Sequence, residues 1–205
     1  MSDDGVLQGG SGGPLMVLLH GMGASAAVWE PFLDASDWPG RWIAVDLPGH
    51  GRAPPLDRYS YGGHAARVAE QLGTDHVDLV VGHSLGGAVA LALASGWFGL
   101  QITKVVSIAM RVAPWSDNDL GTFARLSARP PRWYDERSAA LERALRVAGL
   151  SELADTSSAV ADRGVISADG CFRAAWDPSA ATTAATAPSA TAMLANVDGT
   201  PIHVV

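Results

Sequence analysis

The sequence predicts an open, mostly parallel β-sheet covered by helices on both faces, with a helical insertion late in the chain. Three observations carry this. Short, continuously apolar runs of strand length alternate with segments of helical spacing as far as Met110. Residues 77–87, VDLVVGHSLGG, switch abruptly from such a run into a small-residue helix. Beyond Met110 the strand rhythm stops, and helical spacing takes over. At 205 residues the chain can bury one core of ordinary size, with room for an insertion. The expected organisation is a core over 1–110, a helical insertion over 111–195 and a return to the core over 196–205.

In order along the chain, a glycine-rich lead gives way to LMVLL at residues 15–19, a buried parallel strand closed by His20-Gly21-Met22-Gly23. Val28, Trp29, Phe32 and Leu33 then recur at helical spacing, with Ser25 placed to cap that helix. Residues 42–45 form the next short strand, ending at Asp46 in the loop DLPGHGRAPP. Residues 61–72 read as a helix with Ala65, Val68, Ala69 and Leu72 on one face. The strand at 77–81 enters the Ser84 turn, the helix at 88–94 leaves it, and 102–109 is one more β-rich run. Crossovers between parallel strands are expected to be right-handed.

From Met110 to Ile202 no further strand is expected. Residues 115–150 carry helical spacing, with Leu141, Leu145 and Ala148 on one face and Glu142 placed to pair with Arg146. Trp115, Phe123, Trp133, Tyr134 and Trp176 load this region with aromatic rings, which either line a pocket for an apolar substrate or fasten the insertion to the sheet. Residues 180–192, AATTAATAPSATA, have few large apolar anchors and are expected to be a loop or poorly ordered. PIHVV at 201–205 begins another core strand.

Composition removes several function classes. A net charge of −7, with 14 basic residues that form no run or stripe, opposes binding to nucleic acid or to anionic lipid. No apolar run approaches the roughly 20 residues of a membrane span. The start, MSDDGVLQGG, has acids where a secretory leader carries lysines, so a cytoplasmic location is expected. Cys171 is the sole cysteine and reads as a packed or surface thiol. His20, His50, His83 and His203 stand singly, without the paired spacing of a zinc site, and there is no glycine-rich phosphate cradle. Neither a metal nor a cofactor is therefore expected.

The chemistry concentrates at Gly82-His83-Ser84-Leu85-Gly86. A strand, a sharp turn and a helix push a serine hydroxyl into the open, and the turn needs glycines because strand and helix backbones approach too closely for a Cβ. His20-Gly21-Met22-Gly23 follows the first long strand, and loops beyond the carboxyl ends of parallel strands share one edge. The N–H groups of Met22 and Leu85 could converge there on an oxyanion formed when Ser84 attacks an acyl carbon.

These pieces together resemble the α/β-hydrolase family, in its serine esterase-like group. HGMGAS at residue 20, DLPGHG at 46 and GHSLGG at 82 occur in the family's order and approximate spacing. The resemblance covers residues 14–110, and 111–195 takes the place of the family's variable helical cap. It implies Ser84 as nucleophile, Met22 and Leu85 as oxyanion donors, and His20, Gly21, Gly82, His83 and Gly86 as residues that shape the motifs. It also implies a small apolar acyl compound as substrate. Asp46 belongs to a supporting turn without a catalytic role. In the family, the acid follows the strand that PIHVV begins and the histidine follows one further strand. Both positions fall beyond Val205, and the family's first strands are barely represented before Pro14, so the sequence resembles a hydrolase short of a final strand, a final helix and two triad residues. Within the sequence, Asp198 with His203 is the only set in the right chain order, disfavoured because His203 sits mid-strand. Asp117 and Asp119 could offer an acid but no base, and His64 and His76 read as surface or helix histidines. Two classes stay open: a hydrolase of carboxylic esters or related acyl compounds, with C–C hydrolases, lactonases and cofactor-free peroxidases in the same fold, or a non-catalytic small-molecule-binding relative. Substrate and oligomeric state are not encoded in these residues.

Overall fold

Apolar runs that tolerate burial on both faces set the architecture. The computed structural model describes residues 5–197 and 199–205. The chain begins with β1 (Val6–Gly9) and β2 (Leu15–Leu19), and a 3₁₀ turn at Ala26–Trp29 leads into α1 (Glu30–Ala35). β3 (Arg41–Val45), α2 (Tyr61–Leu72), the short β4 (His76–Val77), β5 (Leu79–His83) and α3 (Leu85–Ala94) follow. Then come the short β6 (Gln101–Ile102), β7 (Val105–Ile108), α4 (Asp117–Ser127), α5 (Arg137–Ala148) and α6 (Ala159–Arg163). The chain closes with β8 (Val165–Ala168), β9 (Cys171–Ala174), a 3₁₀ helix at Pro178–Thr186, α7 (Ala190–Leu194) and β10 (Ile202–Val204).

The main sheet has six strands in the order β1-β3-β2-β5-β7-β10. Every pairing is parallel except that of β1 with β3. Strand β2 shows why: all five residues are buried, with Met16 and Leu18 packing toward Ala26 and Trp29 while Leu15, Val17 and Leu19 pack toward α2 and α3. This two-sided burial is what covered parallel sheets require. Among the described residues, no helix is long and apolar enough to cross a membrane.

Five expectations need correction. The glycine-rich lead holds a real strand, β1, paired with β3 from Val6 opposite Val45 to Gly9 opposite Trp42. The run at 102–109 is two strands: β6 pairs with β4 outside the main sheet, and β7 lies between β5 and β10. Strands do occur between Met110 and Ile202, because β8 and β9 form an antiparallel hairpin. Its turn is Asp169-Gly170, with φ of +51° and +80°, a dipeptide that favours two-residue hairpins. Ser25 makes no side-chain cap, and the Asp46 carboxylate takes that task by accepting the Ala26 N–H at 2.6 Å.

The fifth correction concerns residues 180–192. They are ordered as the 3₁₀ helix and α7, with Ala180, Ala181, Thr183 and Ala184 buried. Small side chains lose almost no rotamer entropy on burial, so close backbone approach replaces large anchors. Asp177 caps the 3₁₀ helix through Ser179 N at 2.9 Å, and Ser189 caps α7 through Ala192 N at 3.1 Å. Tyr59 donates to Asp177 at 2.7 Å, which ties the segment to the core.

Candidate functional site

Strand β5 ends at His83 and α3 begins at Leu85, so the whole reversal falls on Ser84, which adopts φ +50° and ψ −109°. Such a conformation in a residue with a Cβ stores of order 1–3 kcal/mol of strain. Two groups hold it there: the Ser84 N–H donates to Ile108 O at 2.8 Å, and its carbonyl accepts from Gly87 N at 3.0 Å. The glycines are sterically required. A Cβ on Gly82 would collide with the Gly86 carbonyl, and one on Gly86 would collide with the Leu19 and His20 carbonyls.

The loop after β2 meets this turn directly. A Cβ on Gly21 would lie 2.7 Å from His83 Nδ1 and 3.5 Å from Ser84 Cβ, so only a glycine fits. Ala24 N donates to Gly21 O at 3.2 Å, curling the loop so that Met22 faces the same space as Ser84. That space is a cavity of about 320 Å³. Met22, Ser84 and Leu85 line it from the sheet edge, and Trp115, Phe123 and Thr183 line it from the later helices. Leu85 opens α3, so its N–H has no acceptor within the helix.

The aromatic residues divide between the two roles weighed for them. Trp115 and Phe123 meet edge to face at 4.8 Å and wall the cavity. Trp176, by contrast, is buried and forms a bridge with His50, and Tyr134 bridges to Phe172. Trp133 is exposed beneath the Arg173 guanidinium.

Three histidines, His20, His50 and His64, are fully buried. His20 Nε2 accepts the Leu47 N–H at 2.9 Å, so its proton sits on Nδ1 and is donated to Gly21 O at 2.7 Å. That fixes a neutral tautomer, and burial holds its pKa down to about 4. Burial, with His20 nearby, lowers His50 to about 3, and burial with His50 nearby lowers His64 to about 3. His64 Nε2 lies 3.3 Å from Thr183 Oγ1. The reading of His64 as a helix residue stands, but it is a core residue rather than a surface one. Its place between Tyr61 and Val68 on the apolar face of α2 was the available signal. His76 is exposed, as expected for a surface histidine.

Asp46 is fully buried, and its carboxylate also accepts the Arg52 N–H at 2.9 Å and lies 3.4 Å from the Arg163 guanidinium. Burial nonetheless raises its pKa above the ordinary carboxylate value. It therefore knits the loop after β3 to the 3₁₀ turn and α6.

Among the described residues, none of the alternative triad members comes together with Ser84. His203 sits on the edge strand β10 opposite Val106, with its side chain exposed. Asp198 lies outside the described residues. Asp117 is exposed on α4, and Asp119 is engaged in a capping box with Ser116 and an ion pair with Arg111 at 3.3 Å. Among the described residues no group of three or more histidine, cysteine and carboxylate side chains could hold a metal ion. The residues that sequence reasoning did not place at the cavity are Tyr61, Ala88, Ala109, Met110, Arg111, Thr183 and Ala184. They come from four separate segments, and only the tertiary fold unites them.

The family model for the alpha/beta hydrolase family matches residues 16–205. The chain belongs to that family. It is 39% identical over 110 residues to the dihydrolipoyllysine-residue acetyltransferase component of the acetoin cleaving system of Pseudomonas putida, covering 50% of this chain and 27% of that one. It is also 39% identical over 103 residues to a pimeloyl-[acyl-carrier protein] methyl ester esterase of Vibrio vulnificus, covering 47% of this chain and 37% of the esterase. The chain thus spans well under half the length of these relatives. Among solved structures, E-2-(acetamidomethylene)succinate hydrolase superposes with a TM-score of 0.66 at 22% identity, covering 98% of this chain and 85% of that one. That likeness establishes the α/β-hydrolase fold.

Proposed function

We propose that this family member hydrolyses carboxylic esters or closely related acyl compounds, with Ser84 as nucleophile and the N–H groups of Met22 and Leu85 as oxyanion donors. One observation carries the reading: a serine held at φ +50° between β5 and α3 opens onto a cavity that Met22 and Leu85 also line. The strained turn costs stability without adding any packing, which a purely structural serine would have no reason to do. Attack by the Ser84 oxygen on the acyl carbon forms an ester and releases the alcohol, and water then releases the acid. Fixed backbone dipoles aimed at the developing oxyanion are worth several kcal/mol in a site walled by Trp115 and Phe123. Residues 111–195 act as the cap that closes over the acyl group. The esterase from Vibrio vulnificus, similar over about half of this chain, supports ester chemistry.

Treatment with an alkyl fluorophosphonate tests this. A single covalent adduct on Ser84, absent in Ser84→Ala, is expected by mass spectrometry. A protein that stays unlabelled while folded favours the second reading, a binding relative that uses the same cavity without chemistry. That reading draws its support from the cavity itself, whose walls of Met22, Trp115 and Phe123 could hold an apolar ligand without any reaction.

A further inference from the structure

Acidic side chains outnumber basic ones 21 to 14 in this protein, which carries a net charge of −7. Yet a cavity of about 400 Å³ at the end of α4, beside α5, is lined by Arg129, Arg132, Arg143 and Arg146 and by no carboxylate. Among the described residues none of these four arginines makes an ion pair. Glu142 stands four residues before Arg146, at the spacing for a pair on one helix, and the pair does not form. Asp177, next to the cavity wall at Trp176, is committed to Tyr59 and Ser179. Several of the arginines are held in place. Arg129 and Arg132 flank Pro130-Pro131, whose fixed φ stiffens the link between them. The Arg132 guanidinium lies 5.0 Å from the centroid of the Tyr134 ring, and two backbone hydrogen bonds of 2.8 Å fasten Tyr134 to Phe172 of β9. Arg143 and Arg146, three apart on α5, share one face. Like charges gathered around a concavity repel one another, and a cleft of one sign concentrates ions of the other.

We propose that this cavity is a binding site for a phosphoryl dianion, free or carried on a small organic molecule. Arg143 and Arg146 hold its oxygens from α5, and Arg129 and Arg132 close around it from the proline link. Guanidinium forks match phosphate oxygens two at a time, which gives the site its preference for a dianion over a single charge. Tyr134 and Trp176 add an aromatic wall beside the arginines, suited to an organic group on the phosphate. The site is separate from the Ser84 cavity, with which it shares no lining residue. It stands close by nonetheless, because Val147 on its wall packs against Gly23, where an added Cβ would lie 2.5 Å from Val147 Cγ1. Nothing in the inference depends on Ser84 being a nucleophile.

Calorimetric titration of the folded protein with phenyl phosphate at a pH well above the second phosphate pKa of about 6 tests the site. One molecule is expected to bind per chain, with affinity falling as sodium chloride is raised. Arg143→Gln and Arg146→Gln should each weaken binding about tenfold, the loss of one charge-assisted contact, and the double variant should abolish it. Arg125→Gln, at an α4 arginine that bonds Thr122 outside the cavity, should leave it unchanged. Thermal melting of each variant confirms that the protein titrated is folded. Inorganic phosphate separates the two sources: affinity equal to that of phenyl phosphate assigns the free ion, and weaker affinity assigns the ester. Ser84→Ala should bind as the unaltered protein does, and a failure of fluorophosphonate labelling leaves the site standing. No binding by the folded protein, binding indifferent to the double variant, or equal affinity for uncharged phenyl glucoside would overturn the site.

Discussion

At Ser84 two local energies oppose one another. A positive φ costs the serine about 1–3 kcal/mol, whereas glycine would adopt it freely at about 0.5–1 kcal/mol of extra backbone entropy. Strain is the larger quantity, so Ser84→Gly is expected to raise unfolding stability by about 1 kcal/mol in denaturant titrations while abolishing fluorophosphonate labelling. Unchanged or lower stability would mean that the turn is not strained. This residue and its glycines were legible from the sequence, because a turn that excludes Cβ atoms leaves a fixed spacing of glycines. The roles of His50 and His64 were not. Their burial depends on Trp176 and Thr183, more than a hundred positions away, and no local pattern encodes that meeting.

Among the elements, the parallel strands were readable because continuous apolar runs signal burial on both faces, and β2, β3 and β5 occupy their expected positions to within a residue or two. Three misreadings have separate causes. The β8–β9 hairpin carried its own signal in Asp169-Gly170, outweighed by the helical spacing around it. In β1, Val6 and Leu7 offered too little apolar character against the surrounding glycines, and the strand depends on its antiparallel partner β3. The 3₁₀ helix at Pro178–Thr186 was hidden because alanine gives no amphipathic contrast, yet its small side chains fit under α4 and against α2. That fit has a consequence. Ala181 is fully buried, and Ala181→Leu should destabilise the fold by about 1–3 kcal/mol through overpacking. A shift of the thermal midpoint by less than a degree would show that the segment packs loosely.

For the whole molecule, the buried histidines make stability depend on pH. His20, His50 and His64 have folded pKa values of about 4, 3 and 3 against an ordinary 6.5, so the unfolded chain takes up protons that the fold refuses. Their contribution is complete above pH 6.5 and is lost as pH falls toward the folded values, by about 1.4 kcal/mol per pH unit for each histidine. Asp46, raised by burial, acts in the opposite sense, as one group against three. The denaturation midpoint should therefore drop steeply between about pH 6 and pH 4.5, and His64→Phe should flatten that profile. A level profile in the unaltered protein would show that the three rings are hydrated. The parallel sheet brings the ends of β2 and β5 to one edge, and the later helices close a cavity over that edge. Ser84 is proposed to stand in that cavity facing the backbone amides of Met22 and Leu85, and a crystal structure of the phosphonylated protein decides it. The phosphoryl oxygen should then lie within about 3 Å of both the Met22 and the Leu85 nitrogens. A phosphoryl oxygen turned to solvent, with neither amide in reach, would contradict it.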